Sequence, residues 1–190
     1  MGTLRVIGGS AKGLRLKTVP GETTRPITDL VKEALFNILG DEVRGIRMLD
    51  LFGGTGAVGI EALSRGANYV LFLDKSAQAV ATINENLKIT HFSAQAKVLK
   101  TDAFNFLNGT PSAAFDLIYV APPQYKDLWL KAMGLIEKYP GWLGSEAQII
   151  VQINPIEWTD IPFEGLEVFD QRKYGDTLLV FYQKISPKIA

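Results

Sequence analysis

The stretch IRMLDLFGGTGAVG, residues 46–59, decides how this chain folds. An apolar run from Ile46 to Phe52 ends in Gly53-Gly54-Thr55-Gly56, and a helical pattern starts directly after it. Glycines at such a junction let the backbone turn tightly and come close to a ligand without a Cβ clash. The C-terminal ends of strands are also where open α/β sheets bind ligands. Taken literally, Gly54, Gly56 and Gly59 fit G-x-G-x-x-G, with Asp74 twenty residues beyond Gly54. That is the dinucleotide pattern, so the glycines alone leave NAD and other adenosine cofactors open.

Downstream, YVLFLD, AKVLKT, FDLIYV and AQIIVQI read as further strands, several of them apolar on both faces as a buried parallel sheet requires. Between the strands lie VGIEALSR, AQAVATINENL, DAFNFL and KDLWLKAMGLIEKY, whose apolar residues recur at helical spacing. The alternation predicts an α/β fold of βαβ units with a helix-covered sheet. LEVFDQRKY and TLLVFYQK, joined by a short polar turn, predict a C-terminal antiparallel hairpin. Upstream, LRVIGG and GLRLKTV flank a Gly-Ser-Ala-Lys-Gly turn and predict an N-terminal β-hairpin. Thr28 is the expected N-cap of the helix DLVKEALFNIL, with Leu30, Ala34, Leu35 and Ile38 sharing its buried face. The expected organisation is one domain, residues 1–190, with an appendage over 1–40 on a cofactor-binding core over 41–190.

Composition narrows the chemistry. With 47% hydrophobic residues and 20 basic against 20 acidic side chains, the chain has a globular profile. It contains no cysteine, which excludes thiolate nucleophiles, disulfides and cysteine-ligated metals. Its single histidine, His91, argues against a histidine-based triad or a multi-histidine metal site, so no metal is expected. The N-terminus lacks the continuous apolar core of a signal peptide, no apolar run is long enough for a membrane span, and the chain reads as cytoplasmic. Neutral net charge hides an uneven distribution: the first 20 residues hold Arg5, Lys12, Arg15 and Lys17 and no acidic residue. Such a segment can form a phosphate-binding surface.

Three carboxylates follow three successive strands: Asp50, Asp74 and Asp102. A carboxylate just before the glycines, as Asp50 is, suits the cationic ammonium at the methionine end of S-adenosylmethionine, where no pyrophosphate has to be accommodated. Asp74 suits ribose hydroxyls and Asp102 an adenine amino group. With Phe52, Gly53, Gly54, Thr55, Gly56, Lys75 and Ala103 they form the candidate cofactor set, and they favour S-adenosylmethionine over NAD.

The sequence TRPITDLVKEALFNIL (24–39) followed by MLDLFGGTGAVGIEALSRGA (48–67) resembles the bacterial 16S ribosomal RNA (guanine-N2)-methyltransferases of the RsmD type. RVIGGSAKGLRL (5–16) is similar too, and the likeness runs in order along essentially the whole chain. The resemblance implies a class I, Rossmann-like S-adenosylmethionine-dependent methyltransferase fold with a seven-stranded sheet. It also implies a ribosomal RNA or small-subunit substrate, with the basic N-terminal hairpin helping to hold RNA through Arg5, Lys12, Arg15, Lys17 and Arg25.

One stretch departs from expectation: FDLIYVAPPQYKDL, residues 115–128. Enzymes that methylate an amino nitrogen often carry Asp or Asn before two prolines and an aromatic directly after them. Here the positions hold Ala121, Pro122, Pro123 and Gln124, with Tyr125 one step late. Acceptors that bind the amino hydrogens localise the nitrogen lone pair and take up charge as it develops. The Pro122 carbonyl is kept, and Gln124 can supply a carboxamide oxygen in place of the missing carboxylate, with Tyr125 as the displaced stacking platform. Asp127 is a second substitute. Two other functions fit parts of the pattern: a non-catalytic RNA-binding or ribosome-assembly protein that retains the cofactor fold, and a DNA adenine-N6 methyltransferase. Trp129, Trp142 and Trp158 are expected to be packing residues, and Glu61 and Asn84 to Asn86 to lie on helix surfaces.

Overall fold

The computed structural model describes residues 4–21, 27–124 and 127–185. Seven strands form one mixed sheet in the order β3-β2-β1-β4-β5-β7-β6. They are β1 (Arg47–Asp50), β2 (Tyr69–Asp74), β3 (Ala96–Lys100), β4 (Phe115–Val120), β5 (Leu143–Ile153), β6 (Leu166–Tyr174) and β7 (Thr177–Lys184). Five α-helices accompany them: α1 (Asp29–Leu39), α2 (Ala57–Ser64), α3 (Ala77–Ile89), α4 (Ala103–Leu107) and α5 (Leu128–Lys138). The chain divides into two compact units, Met1–Ala103 and Phe104–Ala190.

In the first unit β1, β2 and β3 run parallel, with Asp50 opposite Phe72 and Asp74 opposite Lys100. Val70 to Leu73 of β2 are all buried, so this strand is covered on both faces, which explains why it carries no polar alternation. Helix α2 returns from β1 to β2, and every one of its eight residues is buried. At Gly59 the helix lies so close to β2 that an added Cβ would sit 2.3 Å from Phe72 Cε1. The third glycine of the pattern therefore serves helix–strand packing. Ser76 caps α3 by accepting the Ala79 N–H at 3.3 Å, and Thr28 caps α1 by accepting the Val31 N–H at 3.3 Å.

In the second unit β4 and β5 are parallel, β7 is antiparallel to β5, and β6 pairs antiparallel with β7. Gly175, with φ 57°, makes the two-residue turn between β6 and β7 with Asp176. The core of this unit is apolar and aromatic. Trp129 and Trp142 are buried, and Trp158, half-buried, stacks on Trp129 with ring centroids 5.6 Å apart.

The expected N-terminal hairpin is present in short form, and the expected face of α1 is corrected. Among the described residues the hairpin carries one antiparallel bridge, Arg5 with Arg15, with Val6 N–H to Leu14 O at 2.9 Å, Gly13 N–H to Val6 O at 2.8 Å and Leu16 N–H to Leu4 O at 2.8 Å around it. Other backbone groups of the segment, those of Ile7, Gly8, Ser10, Ala11 and Lys17, bond to α2 and α3, so the hairpin is docked as well as paired. Helix α1 buries Val31, Lys32, Leu35, Phe36 and Leu39, whereas Leu30 is 65% exposed and Ala34 and Ile38 are half-buried. The face was misjudged because it includes a lysine, a residue that is almost never fully buried unless paired.

Candidate functional site

The first unit brings most of the predicted cofactor residues together. Asp50 closes β1 and is 2% exposed, and its Oδ1 has no hydrogen-bond partner. Burial first, and the nearby Asp74 charge second, push its carboxyl up to about 7, against backbone N–H groups of Phe52 and Gly59 that favour the charge. A buried carboxylate oxygen without a donor is costly unless something cationic or protic reaches it. Past Asp50 the loop is pinned by Gly53 N–H to Leu73 O at 2.8 Å and by Gly56 N–H to Gly53 O at 2.7 Å. Gly54 and Gly56 have φ of 53° and 78°, a region L side chains rarely adopt. A Cβ on Gly54 would meet nothing within 4 Å, which leaves open space over the loop.

Asp74, the last residue of β2, faces the same loop. Its Oδ2 accepts the Gly54 N–H at 2.9 Å and its Oδ1 accepts the Ser76 N–H at 2.8 Å. Phe52, Gly53, Thr55 and Asp74 are half-buried, and Lys75 is exposed. The Thr101 N–H bonds to the Asp74 carbonyl at 3.0 Å, and this brings the third strand's end to the same edge with Asp102 half-buried and Ala103 buried at the start of α4. This donor set fits S-adenosylmethionine on its own chemistry. The orphaned Asp50 oxygen could take the ammonium, the open glycine backbone could lie along the chain of the ligand, and Asp74 and Asp102 could accept hydroxyl and amino hydrogens. Among the described residues no group of three or more His, Asp or Glu side chains could hold a metal ion. No helix is long and apolar enough to cross a membrane.

The basic segment is docked through residues that sequence reasoning placed on the surface. Glu61 and Asn86 are both 0% exposed, contrary to expectation. Glu61 accepts the Ile7 and Gly8 N–H groups at 2.9 and 2.7 Å and Arg65 Nε at 2.9 Å, and pairs with Lys32 Nζ at 3.3 Å. Lys32 Nζ also donates to the Arg5 carbonyl. Burial lowers the Lys32 ammonium, and the Glu61 carboxylate opposes that. Ser64 takes the Ala11 N–H on its Oγ at 2.9 Å and the Ser10 N–H on its carbonyl at 2.8 Å. Asn86 accepts the Lys17 N–H at 2.7 Å while its amide donates to Lys17 O and Thr55 O. One signal was available in the sequence: Glu61 sits inside the otherwise apolar run AVGIEAL, where a charged residue requires a buried partner.

Of the candidate RNA contacts, Arg5 pairs with Asp29 at 2.9 Å and Lys17 with Glu85 at 2.8 Å, both on the surface. Lys12 and Arg15 are exposed and form no ion pair among the described residues. Arg25 lies outside the described residues.

In the second unit, the chain leaves β4 at Val120 with Ala121 half-buried, Pro122 buried, and Pro123 and Gln124 exposed. Tyr125 lies outside the described residues. Asp127 is exposed at the head of α5 with φ 50°, and its side chain makes no cap bond. The Tyr119 hydroxyl, one turn of strand earlier, is bonded to the Gln152 carboxamide of β5.

The chain matches the family model described as "Conserved hypothetical protein 95" over residues 4–183. YlbH of Bacillus subtilis (strain 168) is 45% identical over 139 residues, 72% of this chain and 75% of that protein. Ribosomal RNA small subunit methyltransferase D of Haemophilus influenzae (strain ATCC 51907 / DSM 11121 / KW20 / Rd) is 32% identical over 182 residues, covering 91% of this chain and 94% of that one. The solved structure of yhhF from Escherichia coli superimposes with a TM-score of 0.84 and 31% identity, covering 98% of this chain and 100% of that one. The seven-stranded sheet, the glycine loop with its acidic partners and these likenesses agree: the chain belongs to the small subunit methyltransferase D family and is an S-adenosylmethionine-dependent methyltransferase.

Proposed function

We propose that this enzyme methylates the exocyclic N2 of a guanine in small-subunit ribosomal RNA. The observation that carries the reading is the docked basic segment. Family likeness spans it, and its backbone is held by Glu61, Ser64 and Asn86 on the same unit as the cofactor loop. A cationic segment fixed on the cofactor-binding unit suits a polyanionic substrate.

Bound S-adenosylmethionine supplies an electrophilic methyl group on a sulfonium. Asp50 would hold its ammonium and Asp74 its ribose, and Asp102 and Ala103 would serve the adenine. The protein's remaining task is the poor nucleophile. The amino lone pair of guanine is delocalised into the ring, and hydrogen-bond acceptors on the amino hydrogens draw it back onto nitrogen. The Pro122 carbonyl and the Gln124 carboxamide oxygen fill that role here, with Tyr125 stacking on the extruded base. A neutral carboxamide takes up developing positive charge less well than a carboxylate. Losing one positioned contact of this kind costs about 10²–10³-fold in rate, well within what an enzyme can lose and still act.

The test is to digest small-subunit RNA after reaction and identify the modified nucleoside. N2-methylguanosine supports the assignment; N6-methyladenosine, or transfer to DNA alone, would overturn it.

A further inference from the structure

Asn86 lies on α3 and is fully buried. Its amide is used on three sides. Oδ1 accepts the Lys17 N–H at 2.7 Å, and Nδ2 donates to Lys17 O at 3.0 Å and to Thr55 O at 2.8 Å. This pattern fixes the orientation of the amide, since two carbonyls need the nitrogen and one N–H needs the oxygen. One side chain thus pairs with both backbone groups of a residue in the basic segment, as a neighbouring strand would. Its third bond goes to the middle of the glycine loop, between Gly54 and Gly56.

We propose that Asn86 is a positioning residue that couples the cofactor loop to the basic segment, so that loading the loop with cofactor orders the backbone around Lys17. A ligand that settles Thr55 in one conformation settles the carbonyl to which Asn86 donates. The amide is then held for its two bonds to Lys17, and by reciprocity whatever immobilises Lys17 favours the loaded loop. Other anchors of the segment act elsewhere: Glu61 holds Ile7 and Gly8, and Ser64 holds Ser10 and Ala11. Among the described residues, the Lys17 end is the one joined to the loop by a side chain whose bonds are on both partners. For RNA this means that the loaded enzyme presents a more ordered segment, a consequence that rests on the proposed function.

Amide hydrogen exchange of the full chain, with S-adenosylhomocysteine as the probe, tests the link without RNA. In the wild type, saturating ligand slows exchange of the Lys17 amide about 5-fold or more, the lower end of ordinary coupling. Asn86→Asp keeps an acceptor for the Lys17 N–H but has no N–H to offer the Thr55 or the Lys17 carbonyl. It should keep slow basal exchange at Lys17 and lose the ligand-dependent increment, while Ile7 and Gly8 respond as in wild type. Asn86→Ala should lose both, and Asn84→Ala, whose side chain is exposed and donates to Val80 O, should behave as wild type. The wild-type response of the Lys17 amide to ligand decides the matter even if either variant at position 86 fails to fold. A Lys17 amide indifferent to ligand in the wild type, or a full increment in Asn86→Asp, would overturn the proposal. A second arm measures affinity for protein-free small-subunit RNA with and without S-adenosylhomocysteine. Loss in Asn86→Asp of a wild-type ligand effect supports the coupling. An intact exchange effect with no influence of ligand on RNA affinity keeps the Asn86 link and counts against the RNA role of the segment.

Discussion

The Asp74 carboxylate accepts the Gly54 N–H at 2.9 Å, so the residue proposed to meet ribose also holds the glycine loop. On that proposal binding and loop shape depend on the same side chain. Asp74→Ala removes both, and S-adenosylhomocysteine affinity should fall by about 1–3 kcal/mol, the cost of leaving a hydrogen-bond partner unmade. Asp74→Asn, which keeps one acceptor oxygen, should lose less. Titration calorimetry reads both, and unchanged affinity in the alanine variant would remove Asp74 from the site.

Asp50 predicts a pH dependence. Its carboxyl is raised from 3.8 to about 7 by burial and by Asp74. Between these values it is ionised in the unfolded chain and protonated in the folded one, so ligand-free stability declines as pH rises through that window and levels off above it. A cationic ammonium beside Asp50 favours its charged form, so binding releases a proton. Affinity for S-adenosylhomocysteine should rise with pH, by up to about tenfold per unit below the raised value, and flatten above it. Calorimetry in buffers of different ionisation enthalpy counts the proton directly. Asn at position 50 should abolish the release.

Glu61 predicts a stability effect with no change in chemistry. It is fully buried against Lys32 and also accepts two backbone N–H groups of the basic segment. Removing one member of a buried pair costs about 3–5 kcal/mol, and Glu61→Ala should lower stability by that order in denaturant melts. Proteolysis near Ile7 should increase at the same time.

Salt dependence divides the basic residues. Neutralising Lys12 and Arg15 together should flatten the slope of log RNA affinity against log salt by about 1.4–1.8, if each reaches one phosphate. Adding Arg5 and Lys17 should flatten it further, to a total of about 2.8–3.6 at most. Their ion pairs with Asp29 and Glu85 are exposed and cost little to exchange for phosphate. An unaltered slope with the fold intact would assign all four to ordinary surface.

Most of the fold was legible because it rests on local pattern. The runs YVLFLD, FDLIYV, LEVFDQRKY and TLLVFYQK coincide with strands, and Thr28 caps the helix it was expected to cap. The loop was legible for a similar reason, since Gly54 and Gly56 need the φ that only glycine adopts freely. Lys32, Glu61 and Asn86 were not. Each is polar on a helix whose surface and core faces look alike until the N-terminal segment is laid over them. Their burial is decided by contacts 25 or more residues away in sequence, such as Asn86 with Lys17. The N-terminal hairpin was legible as a pair of short arms, but its docking was not: bonds from its backbone to α2 and α3 supplement the few that join its own arms.

Ala121 stands where a carboxylate is usual, and the proposed activity is methyl transfer to small-subunit RNA in spite of it. Tritium transfer from labelled S-adenosylmethionine, with protein-free RNA and partly assembled small subunits side by side, measures it directly. Wild type should label at least one of the two substrates. Gln124→Ala should reduce turnover by about 10²-fold with cofactor affinity little changed, because the contact matters as charge develops on nitrogen, and Ala121→Asp should restore it in that background. No label in either substrate, or wild-type turnover that survives Gln124→Ala undiminished, would contradict the account.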